Sequence, residues 1–212
     1  MDSAERLLEA ASALMYQRGF EAVSVQDVCE RADVKKGSFY HWFPSKAALA
    51  VAVLDLDWQR TRARLFEPAF GTGLGPRVAP LERFDRYAAL LLAHNRRVRD
   101  REGAMLGCGF GNFAAELSTR DPVIGAKLAV IFTEMRAYFG AAISDAVQAG
   151  DIAPIDAAEA SVAVLAHMEG LVLVAKAVNE PDLIARFGDH VRALLGAPAG
   201  PVGAPEDEGA HP

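Results

Sequence analysis

Apolar side chains recur every three to four residues through most of the chain, the spacing of one helix face. Over residues 3–18 the stripe is Leu7, Leu8, Ala11, Leu14 and Met15. Asp2 followed by Glu5 fits a capping box at its start, and Gly19 fits the residue that ends it. A second helix opens at Ser24-Val25-Gln26-Asp27, with Ser24 as N-cap and Val25, Val28, Cys29 and Ala32 as its apolar face. After a short turn at Asp33-Val34-Lys35, a third helix is predicted from about Lys36 to Trp42. Phe43-Pro44-Ser45 breaks it, because proline cannot continue a helix interior. Ser45 then caps a fourth helix whose apolar positions run through Leu49, Ala52, Val53 and Leu56.

Residues 67–80 hold three Pro and three Gly and read as a loop. Helical spacing resumes over residues 81–98, 103–118, 122–149, 155–178 and 181–195. Pro122 suits a first turn and Gly150 a stop. No stretch alternates with period two, so the expected fold is all-α, with about nine helices. The expected organisation is a three-helix N-terminal domain over residues 1–46, a larger helical domain over 47–196, and a disordered Pro/Gly-rich tail over 197–212.

Composition narrows the class. Hydrophobic residues make up 51% and charged residues 24%, an ordinary balance for a globular domain. No charge-free apolar run reaches the ~18 to 20 residues that span a bilayer. The charged start, Met1 to Arg6, does not resemble a secretion signal. A cytoplasmic protein with no membrane partner is expected. Cys29 and Cys108 lie too far apart in sequence to form a spacing motif, so neither a disulfide framework nor a Cys-based metal site is expected, and no cofactor.

The net charge of −6 argues against nucleic acid as a partner, but its distribution does not. Residues 1–64 carry nine bases and nine acids, so all of the excess acid lies beyond them. Within that neutral part, KKGSFYHWFPSK (residues 35–46) holds three Lys, four aromatics and no acid. Two short helices joined by a tight turn, the second outward-facing and basic, form the pattern of a helix-turn-helix. Lys36, Gly37 and Ser38 offer donors and close backbone approach. Phe39 and Phe43, four apart, share a face and anchor the helix, while Tyr40 and Trp42 point elsewhere, towards phosphate. Lys46, near the start of the next helix, is a natural phosphate contact.

Residues 3–50 resemble the N-terminal DNA-binding domain of the TetR family of transcriptional regulators. The resemblance is carried by Gly19-Phe20, by Ser24-Val25-Gln26-Asp27-Val28, by Ala32-Asp33-Val34 and above all by Gly37-Ser38-Phe39-Tyr40-His41-Trp42-Phe43-Pro44-Ser45-Lys46 with Leu49 behind it. It implies an all-helical homodimer with a small reader and a larger ligand domain. By the same resemblance, Lys36, Gly37 and Ser38 meet base edges and nearby phosphates, and Tyr40, Trp42 and Lys46 the backbone. Ser24 and Gln26 match the start of the supporting helix. Position 42 is often Tyr or His in relatives, and Trp stands here, so His41 and Trp42 divide between DNA contact and packing.

Residues 155–178 are apolar nearly all round and need burial on two sides. A second copy most simply supplies one, with burial inside a single domain as the alternative, and the resemblance places the dimer interface over residues 155–195. A small-molecule effector, largely apolar, is expected in the second domain. Phe84, Tyr87, Phe113 and Met135 are candidates to line its cavity, with Asn112 and His167 as polar markers and Glu169 beside them. In GCGFGN (residues 107–112), Cys108 would have a lowered pKa if it sits in a first turn, and the alternative is a buried, inert thiol. Two readings follow from this pattern. One is a repressor released from a palindromic operator by a ligand, with thiol sensing at Cys108 as a variant. The other is a helical small-molecule carrier. No nucleophile–base pair, metal cluster or phosphate loop points to an enzyme.

Overall fold

The structure, a computed structural model, describes residues 2–71 and 78–198; the predicted tail lies almost wholly outside them. Among the described residues every regular element is helical. In order these are α1 (Ser3–Arg18), α2 (Val25–Ala32), α3 (Lys36–Trp42), α4 (Lys46–Thr61), a π-helical turn (Arg62–Phe66), α5 (Glu67–Phe70), α6 (Glu82–Glu102), α7 (Gly109–Leu117), α8 (Pro122–Ala149) and α9 (Ala157–Val178). A 3₁₀ segment (Pro181–Arg186) and α10 (Phe187–Leu194) follow.

The caps explain why the first helices start where they do. Asp2 accepts the Glu5 N–H at 2.9 Å and the Glu5 carboxylate accepts the Asp2 N–H at 3.0 Å. Ser24 and Asp27 repeat the arrangement at 3.1 and 2.7 Å, and Ser45 accepts the Ala48 N–H at 3.0 Å. Each pairing satisfies donors that the first turn of a helix leaves open. α1 buries Leu7, Ala10, Ala11, Leu14 and Met15, and α2 and α3 pack across it. Phe39 and Phe43 face inward as expected and close this small core.

Three expectations need correction. Residues 67–70 are helical rather than loop, because Leu65, Phe66, Ala69 and Phe70 carry α4's buried face onward. Pro68 cannot donate to the carbonyl four residues back and its ring crowds it, and the chain widens into the π-turn just before it, where Glu67 N–H bonds to Arg62 O. The helix predicted over 103–118 starts only at Gly109. Residues 104–108 are not helical, and Gly107 takes a φ of 80° with Lys176 so close that a Cβ would lie 2.8 Å from Lys176 Cδ. The last predicted helix begins as a 3₁₀ segment.

The larger core is aromatic. Phe66 is fully buried among Trp58, Phe70, Tyr87, Tyr138 and Phe139, with ring centroids 5.0 to 6.2 Å away. Phe84 and Phe187 extend the cluster towards α10. By length and hydropathy α9 is apolar enough to cross a bilayer. One side of it packs on α8, and the other leaves Val162, Leu173, Val174 and Val178 exposed.

Candidate DNA-reading surface and effector cavity

α3 stands at the surface. Lys35, Lys36, Gly37, Ser38, Tyr40, His41 and Trp42 are exposed, with Tyr40 at 52% and Trp42 at 45%, while Phe39 is fully buried. The His41 and Trp42 rings meet edge to face at 5.1 Å. So one side of this short helix is fixed by Phe39 and by Phe43 at its end, and the other, with its N-cap, presents Lys35, Lys36, the Ser38 hydroxyl and the rings of Tyr40, His41 and Trp42 to solvent.

Gly37 is informative because the fold does not need it. A Cβ there meets nothing within 4 Å, and the residue sits in ordinary helical backbone. Glycine inside a helix costs up to about 1 kcal/mol relative to alanine. Gly37→Ala should therefore stabilise the free protein by a few tenths to about 1 kcal/mol in denaturant titration while weakening DNA binding. Unchanged DNA affinity would remove Gly37 from the reading face.

Three other expected contacts have partners inside the chain. The Ser24 hydroxyl donates to Asp27 at 2.6 Å and also accepts its N–H, so it is spent on the cap. The Gln26 amide donates to Glu30 at 2.8 Å. Lys46 was expected on phosphate. Its ammonium donates to the carbonyls of Phe20 and Val23, both at 2.9 Å, and lies 4.0 Å from the centre of the Phe20 ring. Two of its three donors tie the α1–α2 connection to the start of α4, so its first role is to set the reader's shape.

A cavity of about 350 Å³ lies between α1, α4, α6, α7, α8 and α9. Tyr87, Phe113, Met135 and Cys108 line it, as expected. Phe84 does not, because it is sealed in the aromatic core against Phe70, Phe139 and Phe187. Nor does His167, which stacks on Phe187 and shares a 3.0 Å hydrogen bond with His190. Asn112 lines a second cavity, of about 360 Å³, on the far side of Gly107–Cys108. It staples the loop there, donating to Leu106 O at 2.9 Å and accepting from Lys176 at 3.1 Å. The polar lining of the first cavity comes instead from Ser12, Tyr16, Asp57, Thr61, His94 and Asn95 together with Arg60, Arg64, Arg97 and Arg101, none of which the sequence marks as cavity residues.

Cys108 is corrected as well. It is the N-cap of α7, and its Sγ accepts the Gly111 N–H at 3.4 Å. Burial, and then the neighbouring Glu169 carboxyl, push the thiol well above its ordinary range rather than below it. Burial likewise raises Glu169. The thiol thus stays protonated at neutral pH, the opposite of a sensor cysteine. Thiol reagents at pH 7.5 should label Cys108 in the folded protein far more slowly than in the denatured chain. Equal rates would contradict the burial argument.

Reader and cavity are joined at named atoms. Tyr16, on α1, donates its hydroxyl to Gly107 O at 2.8 Å, at the cavity wall. Glu116, near the other end of α7, accepts the N–H groups of Phe20 and Glu21 at 3.0 and 2.7 Å. Gln17 donates to Glu102 at the end of α6 at 2.8 Å. The C-terminal end of α1 is therefore clamped to the elements that enclose the cavity.

A surface-borne helix-turn-helix, tied to a helical domain that holds a cavity, defines a helix-turn-helix DNA-binding regulator. Residues 7–53 match the model of bacterial regulatory proteins of the TetR family, and residues 82–191 match that of the tetracyclin repressor-like C-terminal domain. The chain belongs to the TetR family. Among its relatives, the HTH-type transcriptional repressor DhaR of Mycobacterium sp. (strain GP1) is 32% identical over 151 residues, covering 70% of this chain and 69% of the relative. The transcriptional regulator AcuR of Cereibacter sphaeroides is 28% identical over 184 residues, covering 86% and 80%. The crystal structure of Escherichia coli NemR in its reduced form aligns with a TM-score of 0.76 at 25% identity, over 93% of this chain and all of that one.

Proposed function

We propose that the protein is a dimeric transcriptional repressor that reads a palindromic operator through α3 and is released by a small molecule in the α6–α7 cavity. Residues 1–46 act as the reader and residues 47–196 as the effector and dimer domain, in the cytoplasm where the DNA is. The observation that carries this reading is α3 itself, with its exposed Lys36, Gly37, Ser38 and Tyr40 and a glycine that the fold does not require.

One reader of this size makes few base contacts, so a two-fold pair is needed to reach useful affinity. The exposed row on α9, Val162, Ala166, Gly170, Leu173, Val174 and Ala177, supports dimerisation, with Leu194 of α10 exposed as well. It keeps helical spacing and has a glycine at its centre that allows close helix approach. DNA contacts are assigned to Lys36, Gly37 and Ser38 at the bases, and to Tyr40, with His41 and Trp42 behind it, at phosphates. Lys46, through its remaining donor, and the α2 start at Ser24 and Gln26 are secondary. Ligand binding shifts the dimer towards a spacing of readers that no longer fits successive grooves, through the Tyr16–Gly107 and Glu116 links. A mobility shift on the DNA flanking the protein's own gene tests the reading. No shift at low salt by folded dimer would overturn it.

A further inference from the structure

The cavity's polar lining falls into two helical rows. Asp57, Arg60 and Arg64 follow one another at i, i+3 and i+7 along α4 and the π-turn, and His94, Arg97 and Arg101 do the same on α6. Two of the four arginines are matched by acids outside the cavity: Arg60 pairs with Glu9 and Arg101 with Glu102, the latter at 2.6 Å. The side chains of Arg64 and Arg97 have no hydrogen bond or ion pair among the described residues. Both act on His94, and with burial as the larger cause they hold its imidazole below the ordinary histidine range. His94 is therefore neutral at pH 7 and does not add to the positive charge. The acid that shares the cavity with these arginines is Asp57, whose carboxylate accepts the Ser12 hydroxyl at 2.9 and 3.1 Å.

One lining residue carries an unmatched acceptor. Asn95 is 1% exposed and donates its amide to Leu91 O at 2.9 Å, while its Oδ1 has no partner. A buried acceptor left unmatched costs about 1–3 kcal/mol, so a donor on whatever fills the cavity would favour a turn of the Asn95 amide that brings its oxygen to the wall. Around it the walls are apolar, with Leu91, Val98, Phe110 and Met168. The π-turn that carries Arg64 is a form found disproportionately at functional sites.

We propose that the effector is a small amphipathic carboxylate: its anion lies between Arg64 and Arg97, its apolar body fills the cavity, and a hydroxyl or N–H on it donates to Asn95 Oδ1 once that amide turns to the wall. This rests on the effector reading of the cavity. Asp57 favours a monoanion, since a second negative charge would be repelled in the same space. A volume of about 350 Å³ is at the small end of ligand pockets, which suits a compact molecule.

The test is calorimetry on the full-length dimer with 4-hydroxyphenylacetate, 3-(4-hydroxyphenyl)propanoate and 8-hydroxyoctanoate, each against its primary amide, and with 4-hydroxyphenethyl phosphate as the dianion. At least one carboxylate should bind roughly tenfold or more tightly than its amide and more tightly than the phosphate. Arg64→Gln and Arg97→Gln, both at exposed positions, should each erase that preference. Asn95→Leu should remove the advantage of a hydroxylated ligand over its deoxy analogue. If no carboxylate outperforms its amide, absence of all binding included, or if the arginine variants keep the preference, the assignment is overturned. DNA binding measured on the same samples separates the two readings. Retained operator binding with no carboxylate preference sinks only the ligand class, whereas folded dimer that binds no DNA sinks the regulator reading itself.

Discussion

Leu173→Asp combined with Val174→Asp should leave each chain folded and abolish high-affinity DNA binding. Leu173 is 64% exposed and Val174 53% exposed in the isolated chain, so neither supports the monomer's core. In a two-fold dimer through α9, both would be buried against their counterparts. Four carboxylates would then be placed in an apolar interface, where each unpaired charge costs several kcal/mol. Dimerisation would fail, and with it the summed contacts of two readers. Loss of one half of a palindromic contact set should cost at least a hundredfold in operator affinity. Analytical ultracentrifugation and circular dichroism check the two halves of this expectation. Monomers with native helicity and no operator binding are predicted, and a dimer that survives both substitutions would move the interface elsewhere.

A second large effect is expected at Glu116. Its carboxylate accepts two backbone N–H groups from the turn that follows α1, at 3.0 and 2.7 Å. Hydrogen bonds to a charged group contribute about 1.5–3 kcal/mol each, and Glu116→Ala would leave the part-buried Phe20 N–H without a partner while the exposed Glu21 N–H turns to water. The variant should lose about 2–3 kcal/mol of stability. More informative is its effect on regulation. With α7 no longer holding the reader, ligand should still bind the cavity while its effect on DNA affinity shrinks towards none. Glu116→Gln, which keeps an acceptor oxygen, should restore much of that coupling. If Glu116→Ala retains full ligand-dependent release, the signal does not pass through α7.

Much of the fold was legible because local signals agreed with one another. α8 runs from Pro122 to Ala149 and stops at Gly150, as helix punctuation indicates, and α3 spans Lys36–Trp42 between a turn and Pro44. The inward turn of Phe39 and Phe43 followed from a spacing of four. Misreadings arose where a tertiary partner overruled local chemistry. Residues 67–70 look like loop by composition, yet Ala69 and Phe70 had a core to enter. Lys46 looks like a phosphate ligand by position, and its bonds to the carbonyls of Phe20 and Val23 add a structural role that position alone does not show. Cys108 sits at a helix start, where a thiol is usually acidified, but burial beside Glu169 reverses the sign.

The cavity was the least legible part. Aromatic and Met residues mark apolar space, but a core uses the same residues, and Phe84 went to the core while Phe113 went to the wall. The polar lining left a trace in the sequence, His94, Arg97 and Arg101 at helical spacing. Such a row ordinarily reads as a solvated face, and only its juxtaposition with Asp57, Arg60 and Arg64 across the cavity gives it another meaning.

The account's central claim is that two copies of α3, set by a dimer, read DNA as a pair. Selection from a random duplex library by the full-length dimer, read out by sequencing, tests it most directly. The prediction is an enriched inverted repeat with half-sites about one helical turn apart, lost from the Leu173→Asp/Val174→Asp protein. Enrichment of no sequence, or of a single half-site by intact dimer, would contradict it.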